Sequence, residues 1–238
     1  MSAELEELEK KVQKSIDILK QRSHISRLLI GLSGGKDSSC LCELIKMAGI
    51  TNVSYFNMEF LPELQIQKDL LEYCCHRFNI PYEQIIKVPS EHFIKSVRGC
   101  WFTWYDKEAG KKFPNVSRTD IFHKVAKEYK GTVVVGTKKA DSMIMQQMIN
   151  ENHGICLYPM ADWKLRDVLL FMKIRDIRIS DMTKKGCRGV SISDDNDLFF
   201  IYENYPEDFE RIEQIFPFVR AQILKYKYFD LHRSVRLA

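Results

Sequence analysis

The chain has 238 residues, 45% of them hydrophobic and 29% charged, with a formal net charge of +4. Such a composition is globular rather than disordered, has room for one α/β domain plus an appendage or for two small domains, and is too weakly basic to imply nucleic acid by charge alone. No run approaches the roughly 18–20 apolar residues of a membrane span, and the acidic start Ser2-Ala3-Glu4-Leu5-Glu6-Glu7 is not a signal peptide, so a reducing cytoplasm is the expected setting.

Residues Ala3 to Lys20 predict an amphipathic helix, with Leu5, Leu8, Val12, Ile16 and Leu19 at steps of three and four. Its acidic first turn complements the helix dipole. Packing within the chain is expected, with a partner subunit as the alternative; a homo-oligomer is left open. Arg27–Leu32 reads as a strand, and Ser38–Met47 as a helix closed by Gly49 as the residue after its C-cap.

Between that strand and that helix stands Gly31-Leu32-Ser33-Gly34-Gly35-Lys36-Asp37-Ser38-Ser39. A glycine turn leading into a helix aims backbone N–H groups at one point, and the positive end of the helix dipole adds to them, so the site suits a phosphate or pyrophosphate. Gly34 and Gly35 permit positive φ and close approach of an anion. Ser33 and Ser38 offer hydroxyls and Lys36 a charge. The spacing excludes a Walker P-loop, because Gly31 stands too close to Gly35 and Asp37, not Ser or Thr, follows Lys36.

Val53–Met58 is a second strand. Pro62 sits where first helical turns favour it, and a helix runs on to about Arg77. Gln84–Val88 is a short strand. The stretch Glu91 to Asn115 reads as a long loop holding Trp101, Phe102, Trp104, Tyr105 and Phe113 among Arg98, Lys107, Lys111 and Lys112. It either covers a nucleotide or a base, or forms a local hydrophobic cluster. Ser117-Arg118-Thr119-Asp120 starts a helix ending near Lys130, followed by Gly131. Thr132–Val135 is a β-branched run of the kind buried on both faces. Ala140–Asn150 predicts a helix, Ile155–Tyr158 a strand, and Asp162 the cap of a helix through Met172.

Beyond this the chain reads as irregular and helical. Met182–Gly189 is a basic loop, and Asp194, Asp195 and Asp197 are expected in a solvated turn, since EF-hand residues are missing. A final helix carries Phe209, Ile212, Ile215 and Phe216, and the tail, with Lys225, Lys227, His232, Arg233 and Arg236, is basic. The seven cysteines are odd in number and scattered, without a C-x-x-C pair, which argues against a disulfide framework and against zinc or iron–sulfur ligation. Strands alternating with helices imply a doubly wound, mostly parallel α/β sheet. The expected organisation is an N-terminal helix over 1–25, a nucleotide-binding α/β domain over 26–175, and a C-terminal basic loop and helical region over 176–238. Ligands of such sheets bind at the carboxyl ends of the strands.

The Ser33-Gly34-Gly35-Lys36-Asp37-Ser38 string resembles the PP-loop of the ATP pyrophosphatases, enzymes with the adenine nucleotide alpha-hydrolase-like fold that cleave ATP between its α and β phosphates. Three further segments are similar to the phosphoadenylylsulfate (PAPS) reductase branch: Phe56-Asn57-Met58-Glu59, where that family holds adenine and ribose; Gly136-Thr137-Lys138-Lys139-Ala140-Asp141-Ser142, similar to its Gly-x-Arg-x-x-(Glu/Asp)-Ser element; and Tyr158-Pro159-Met160-Ala161-Asp162-Trp163 with Asp167-Val168. The likeness covers roughly Arg27 to Val168.

Two departures matter. Relatives that reduce sulfate esters carry a nucleophilic Cys in a Glu-Cys-Gly-(Leu/Ile)-His tail, whereas Cys187, in Lys184-Lys185-Gly186-Cys187-Arg188, is the last cysteine here. It is the one substitute nucleophile, and its cationic neighbours are expected to favour thiolate; an ordinary structural thiol is the alternative reading. Second, Lys138 or Lys139 stands for the family Arg, as a point charge without the bidentate fork.

The resemblance implies an enzyme that binds ATP, or a PAPS-like adenine nucleotide, with Mg²⁺. Ser33, Gly34, Gly35, Lys36, Asp37 and Ser38 would cradle the pyrophosphate, and Phe56, Asn57, Met58, Gly136, Thr137 and Ser142 would complete the nucleotide site. Lys36, Asp37, Lys138 and Lys139 are the candidate catalytic residues. Asp37 is the metal candidate, with helix capping as its alternative. The acceptor of the activated adenylyl group is open among a small acid, a sulfur donor and a nucleic-acid base. Reductase-like or sulfur-transfer chemistry through Cys187, and a non-catalytic nucleotide-binding module, are the competing readings.

Overall fold

The computed structural model describes residues 3–98, 112–151, 154 and 156–230. The chain divides into two compact units, one of Met1–Met58, Leu70–Val88 and Thr119–Ser180, the other of Glu59–Asp69, Pro89–Arg118 and Asp181–Ala238.

The first unit is organised by a five-stranded sheet in the order β3-β2-β1-β4-β5. Its strands are β1 (Arg27–Gly31), β2 (Val53–Glu59), β3 (Ile86–Pro89), β4 (Gly131–Val134) and β5 (Cys156–Leu157). All run parallel; Leu28 lies opposite Val53 on one side and Thr132 on the other. Leu28, Leu29 and Ile30 are all buried, which is why the central strand reads as an unbroken apolar run rather than an alternation. The doubly wound parallel architecture is the one expected. The chain builds outward from β1 to β3 in one direction and then resumes at β4 on the opposite side. The order therefore reverses between β1 and β4, and such a switch point opens the crevice where ligands bind.

Helix α1 (Ala3–Ser23) buries Leu8, Ile16 and Leu19 and packs on α2 (Lys36–Ala48). Ser15, also buried, donates to the Pro159 carbonyl and accepts from the Trp163 indole N–H. Gly49 closes α2 in the left-handed region, donating to the Ile45 and Lys46 carbonyls. Lys11 reaches Asp167 on a later helix of the same unit, at 2.8 Å. The remaining helices of this sheet region are α3 (Gln65–Phe78), whose start, through Asp69, belongs to the second unit, α5 (Arg118–Glu128), α6 (Met143–Asn150) and α7 (Leu165–Ile174). None of the described helices is long and apolar enough to cross a membrane.

The second unit contains α4 (Glu91–Arg98), α8 (Asp181–Lys184), α9 (Asp195–Asn204), α10 (Pro206–Ile215) and α11 (Val219–Lys225). Phe60, Phe93 and Phe216 meet in a three-ring cluster with centroids 5.9–6.3 Å apart; Phe93 stands edge-on to the other two, which are tilted to each other at 32°, and the edge-on pairs add to burial.

Several local expectations are corrected. Pro62 does not open α3: Glu63 takes a left-handed φ of 61°, and the helix starts at Gln65 because the Asp208 carboxylate, far away in sequence, accepts from the Gln65 and Ile66 amides. Residues 91–98 form α4 instead of a loop, with the Ser90 hydroxyl accepting from the Phe93 amide at its start. Trp101, Phe102, Trp104, Tyr105, Lys107 and Lys111 lie outside the described residues, as do His232, Arg233 and Arg236. A 3₁₀ turn at Tyr82–Gln84 delays β3 to Ile86. Gly131 opens β4 rather than closing a helix; a Cβ there would sit 2.8 Å from the Arg27 carbonyl.

The helix expected over Ala140–Asn150 is split. A 3₁₀ turn, Lys139–Asp141, comes first, and extended Ser142 then caps α6 by accepting from the Met145 amide. Helix α7 begins at Leu165, and Asp162 instead pairs with Lys14 and Lys139 in the turn before it. Asp181–Lys184 is a helical turn within the expected basic loop. The Asp194 side chain is an N-cap, accepting from the Asn196 and Asp197 amides, and Asp197 is buried, so this cluster is a helix start and not a solvated turn.

Candidate active site

Strand β1 ends at Gly31, and the chain turns through Leu32–Gly35 into α2. Two hydrogen bonds hold the turn to β2: the Leu32 backbone N–H donates to the Phe56 carbonyl at 2.8 Å, and the Asn57 side-chain amide Nδ2 donates to the Leu32 carbonyl at 2.6 Å. Gly34 has φ +70°, and a Cβ on it would lie 2.0 Å from the Leu70 carbonyl oxygen. Glycine is thus required twice over, by the dihedral and by the neighbouring main chain. Gly35, in contrast, is extended at φ −79° and serves as the N-cap of α2 without any side-chain cap.

An uncapped N-cap leaves the first-turn amides of α2 without the side-chain acceptor that usually serves them. The nearby hydroxyls are engaged: Ser33 and Ser38 meet at 3.2 Å, Ser33 also accepts from the Gly35 amide, and Ser38 and Ser39 both donate to the Gly35 carbonyl. They brace the turn. The helix N-terminus and its dipole therefore stand at the carboxyl end of β1, a place whose electrostatics favour an anion.

Asp37, in the first turn of α2, gathers the charges. Its Oδ2 takes the Lys36 ammonium at 3.1 Å and its Oδ1 the Lys138 ammonium at 2.7 Å. Lys138 arrives from the loop after β4, on the other side of the switch point. That loop sits close because Gly136 has no side chain: a Cβ would be 2.9 Å from the Asp37 carbonyl oxygen. The Lys138 side chain is only 1% exposed and also meets Asp141 Oδ1 at 3.0 Å. The two candidate lysines of this loop are thereby separated. Lys138 joins Asp37, whereas Lys139 pairs with Asp162 on the surface. The sequence names Asp141 only as the acidic member of the Gly136–Ser142 element and gives it no role at the site; the signal was that motif position together with its three-residue spacing from Lys138.

On the β2 side, the Phe56 ring lies in the core, edge-on to Phe122 with centroids 6.2 Å apart. What Phe56 can present to a ligand is its main chain. Asn57 is buried, and while its amide nitrogen is used, its Oδ1 is a buried acceptor without a partner. Met58 and Thr137 are half-buried, and Ser142 is committed to capping α6.

Among the described residues, neither the thiol nearest the turn nor Cys187 is activated. Cys40, one turn into α2, is fully buried, and burial first and Asp37 second push its pKa up. Cys187, in the second unit, is pushed up to about 11, by burial and then by Asp197 and Asp194, with Lys185 only partly opposing them. The expectation that cationic neighbours favour its thiolate is reversed, because burial first, and then the Asp197 and Asp194 carboxylates, outweigh them. Among the described residues, no group of three or more His, Cys, Asp and Glu side chains is arranged to hold a metal ion. Asp37 is the carboxylate of the turn, and both of its oxygens take lysine ammoniums here; Mg²⁺ commonly takes one or two carboxylates plus substrate phosphates rather than an all-protein cage.

No family model matches the chain, and no curated protein matches it. Solved structures do. An NH3-dependent NAD synthetase from Campylobacter jejuni subsp. jejuni NCTC 11168, in complex with the nitrate ion, aligns over 93% of this chain and 95% of its own with a TM-score of 0.50 and 14% identity. The U34-tRNA thiolase NcsA from Methanococcus maripaludis, with its 4Fe-4S cluster, aligns over 95% of this chain and 80% of its own with a TM-score of 0.47 and 18% identity. The likeness to the NAD synthetase establishes a shared α/β fold.

Proposed function

We propose that the chain is a PP-loop enzyme that binds ATP, or a related adenine nucleotide, at the β1–β4 switch point and cleaves it between the α and β phosphates to activate an acceptor. One observation carries the reading: two ammonium groups, Lys36 and Lys138, converge on Asp37 at the uncapped N-terminus of α2. The sharing of the fold with an NAD synthetase, by its name an enzyme making an adenine dinucleotide, supports it. So does the orphaned Asn57 Oδ1, an acceptor awaiting a donor beside the turn.

In this reading the amides of Gly34 to Ser38 and the Lys36 ammonium hold the β,γ-pyrophosphate, and Lys138 stabilises charge on the α-phosphate and on the leaving group. Positioned charge of this kind is the main catalytic resource in phosphoryl chemistry. An acceptor nucleophile forms a bond to the α-phosphorus; the bond from that phosphorus to the bridging oxygen breaks, and pyrophosphate leaves with the electron pair. Water in the acceptor's place yields AMP and pyrophosphate. Asp37 would hold Mg²⁺, which supplies charge neutralisation to the phosphates when bound. The Gly136–Ser142 and Tyr158–Val168 segments favour the PAPS reductase branch. The protonated Cys187 thiol favours adenylation over thiol-based reduction.

Pyrophosphate release from Mg-ATP, compared among wild type, Lys36→Ala and Asp37→Ala across candidate acceptors, tests the reading. Release lost in both variants is expected. Release that survives both substitutions removes the site, and failure of wild type to bind any adenine nucleotide removes the function.

A further inference from the structure

We infer that Asp141 is a positioning residue: it grips Lys138 at both ends and aims the ammonium at the N-terminus of α2. The inference rests on the nucleotide reading of that site. Beyond the Lys138–Asp37 pair that marks the site, it draws on the contacts of Asp141.

A lysine side chain is long and flexible, and its charge normally stays in water. Lys138 is the opposite case, 1% exposed with the charge buried. A buried ammonium is tolerated only with compensating partners. Asp37 supplies one. Asp141 supplies the other and does more: its Oδ2 accepts from the Lys138 backbone N–H at 2.9 Å while its Oδ1 accepts from the Lys138 ammonium at 3.0 Å. The Asp141 amide donates back to the Lys138 carbonyl at 3.2 Å, closing the turn. One carboxylate therefore ties the start of the Lys138 side chain to its tip, across a rigid 3₁₀ turn. That tie leaves the ammonium little choice of direction. When a phosphate replaces Asp37 as its partner, Asp141 still holds the ammonium in place.

Simple electrostatics predicts the reverse of positioning. Deleting a carboxylate beside an anion site should tighten anion binding, because one repelling charge is gone. Positioning predicts weaker binding, because the ammonium is no longer aimed. The probe is pyrophosphate with Mg²⁺, titrated calorimetrically into the full chain.

Asp141→Asn, which keeps an acceptor for the Lys138 amide, is expected to bind about tenfold more weakly, the scale of one charge-assisted hydrogen bond. Asp141→Glu keeps the charge but displaces it by a methylene. Positioning again predicts weaker binding, and charge alone predicts wild-type affinity. In a Lys138→Ala background, Asp141→Asn should cost nothing further, since the two residues act as one unit. Tighter or unchanged binding in the Asn and Glu variants overturns the assignment. An equal loss with and without Lys138 also overturns it, leaving a merely structural Asp141. Wild type that binds neither pyrophosphate nor ATP overturns the nucleotide reading, and this assignment with it.

Discussion

Replacing Gly34 with alanine isolates the feature on which the loop depends. The backbone there is left-handed at φ +70°, and the new Cβ would fall 2.0 Å from the Leu70 carbonyl oxygen and 2.4 Å from its carbon. The dihedral alone costs an L-residue roughly 1–2 kcal/mol. The overlap is with main chain, which cannot rotate aside, so displacement of α3 or of the loop adds overpacking strain of about 1–3 kcal/mol. The sum, about 2–5 kcal/mol, corresponds to a fall in melting temperature of roughly 5–20 °C for a chain of this size. Gly49 is the control: its φ is +67°, yet nothing lies within 4 Å of a Cβ built on it. Gly49→Ala should show the dihedral cost only, a fall of about 2–8 °C. Thermal unfolding followed by circular dichroism, with wild type, Gly34→Ala and Gly49→Ala side by side, measures the difference. Equal falls in the two variants would refute the close approach of the loop to Leu70.

Two further outcomes concern the second unit. Asp197 is 2% exposed, and burial pushes its carboxyl up to about 6, with Asp194 adding to the rise and the Arg188 amide opposing it. The folded state thus holds this proton more tightly than the unfolded chain between about pH 4 and pH 6, so the charged form costs stability above pH 6, by up to roughly 3 kcal/mol, and the cost is relieved on acidification. Melting temperatures from pH 4.5 to 7.5 should show wild type losing stability relative to Asp197→Asn as pH rises; a constant difference would sink the argument. Asp208→Ala should lower stability by about 1–2 kcal/mol, because Asp208 caps α3 through two amides at 2.8 Å. An unchanged melting temperature in that variant would mean the cap contributes nothing.

Most of the architecture was legible because it rests on local periodicity. The apolar run of β1, the β-branched run of β4, and the three-and-four spacing of α1 each reflect burial that any parallel α/β sheet imposes. The errors fall where a distant residue decides a local boundary. Helix α3 starts at Gln65 because of Asp208, and α7 starts after Asp162 because that carboxylate is taken by Lys14 and Lys139. Sequence windows do not contain such partners. Asp197 belongs to the same class: three neighbouring carboxylates read as solvated, and only the packing of α9 puts one of them out of water.

The sequence by itself determined the fold class, the glycine turn between β1 and α2, and the set of residues that carry charge there, since each depends on residue type and short spacing. Only the tertiary structure chose Lys138 over Lys139, added Asp141, sealed Phe56 in the core and left Asn57 with an unpaired oxygen. The strand order does the choosing. It places the loop after β4 beside the loop after β1, about a hundred residues away in the chain, and a side chain's charge has meaning for an anion site only through the distances that this pairing sets.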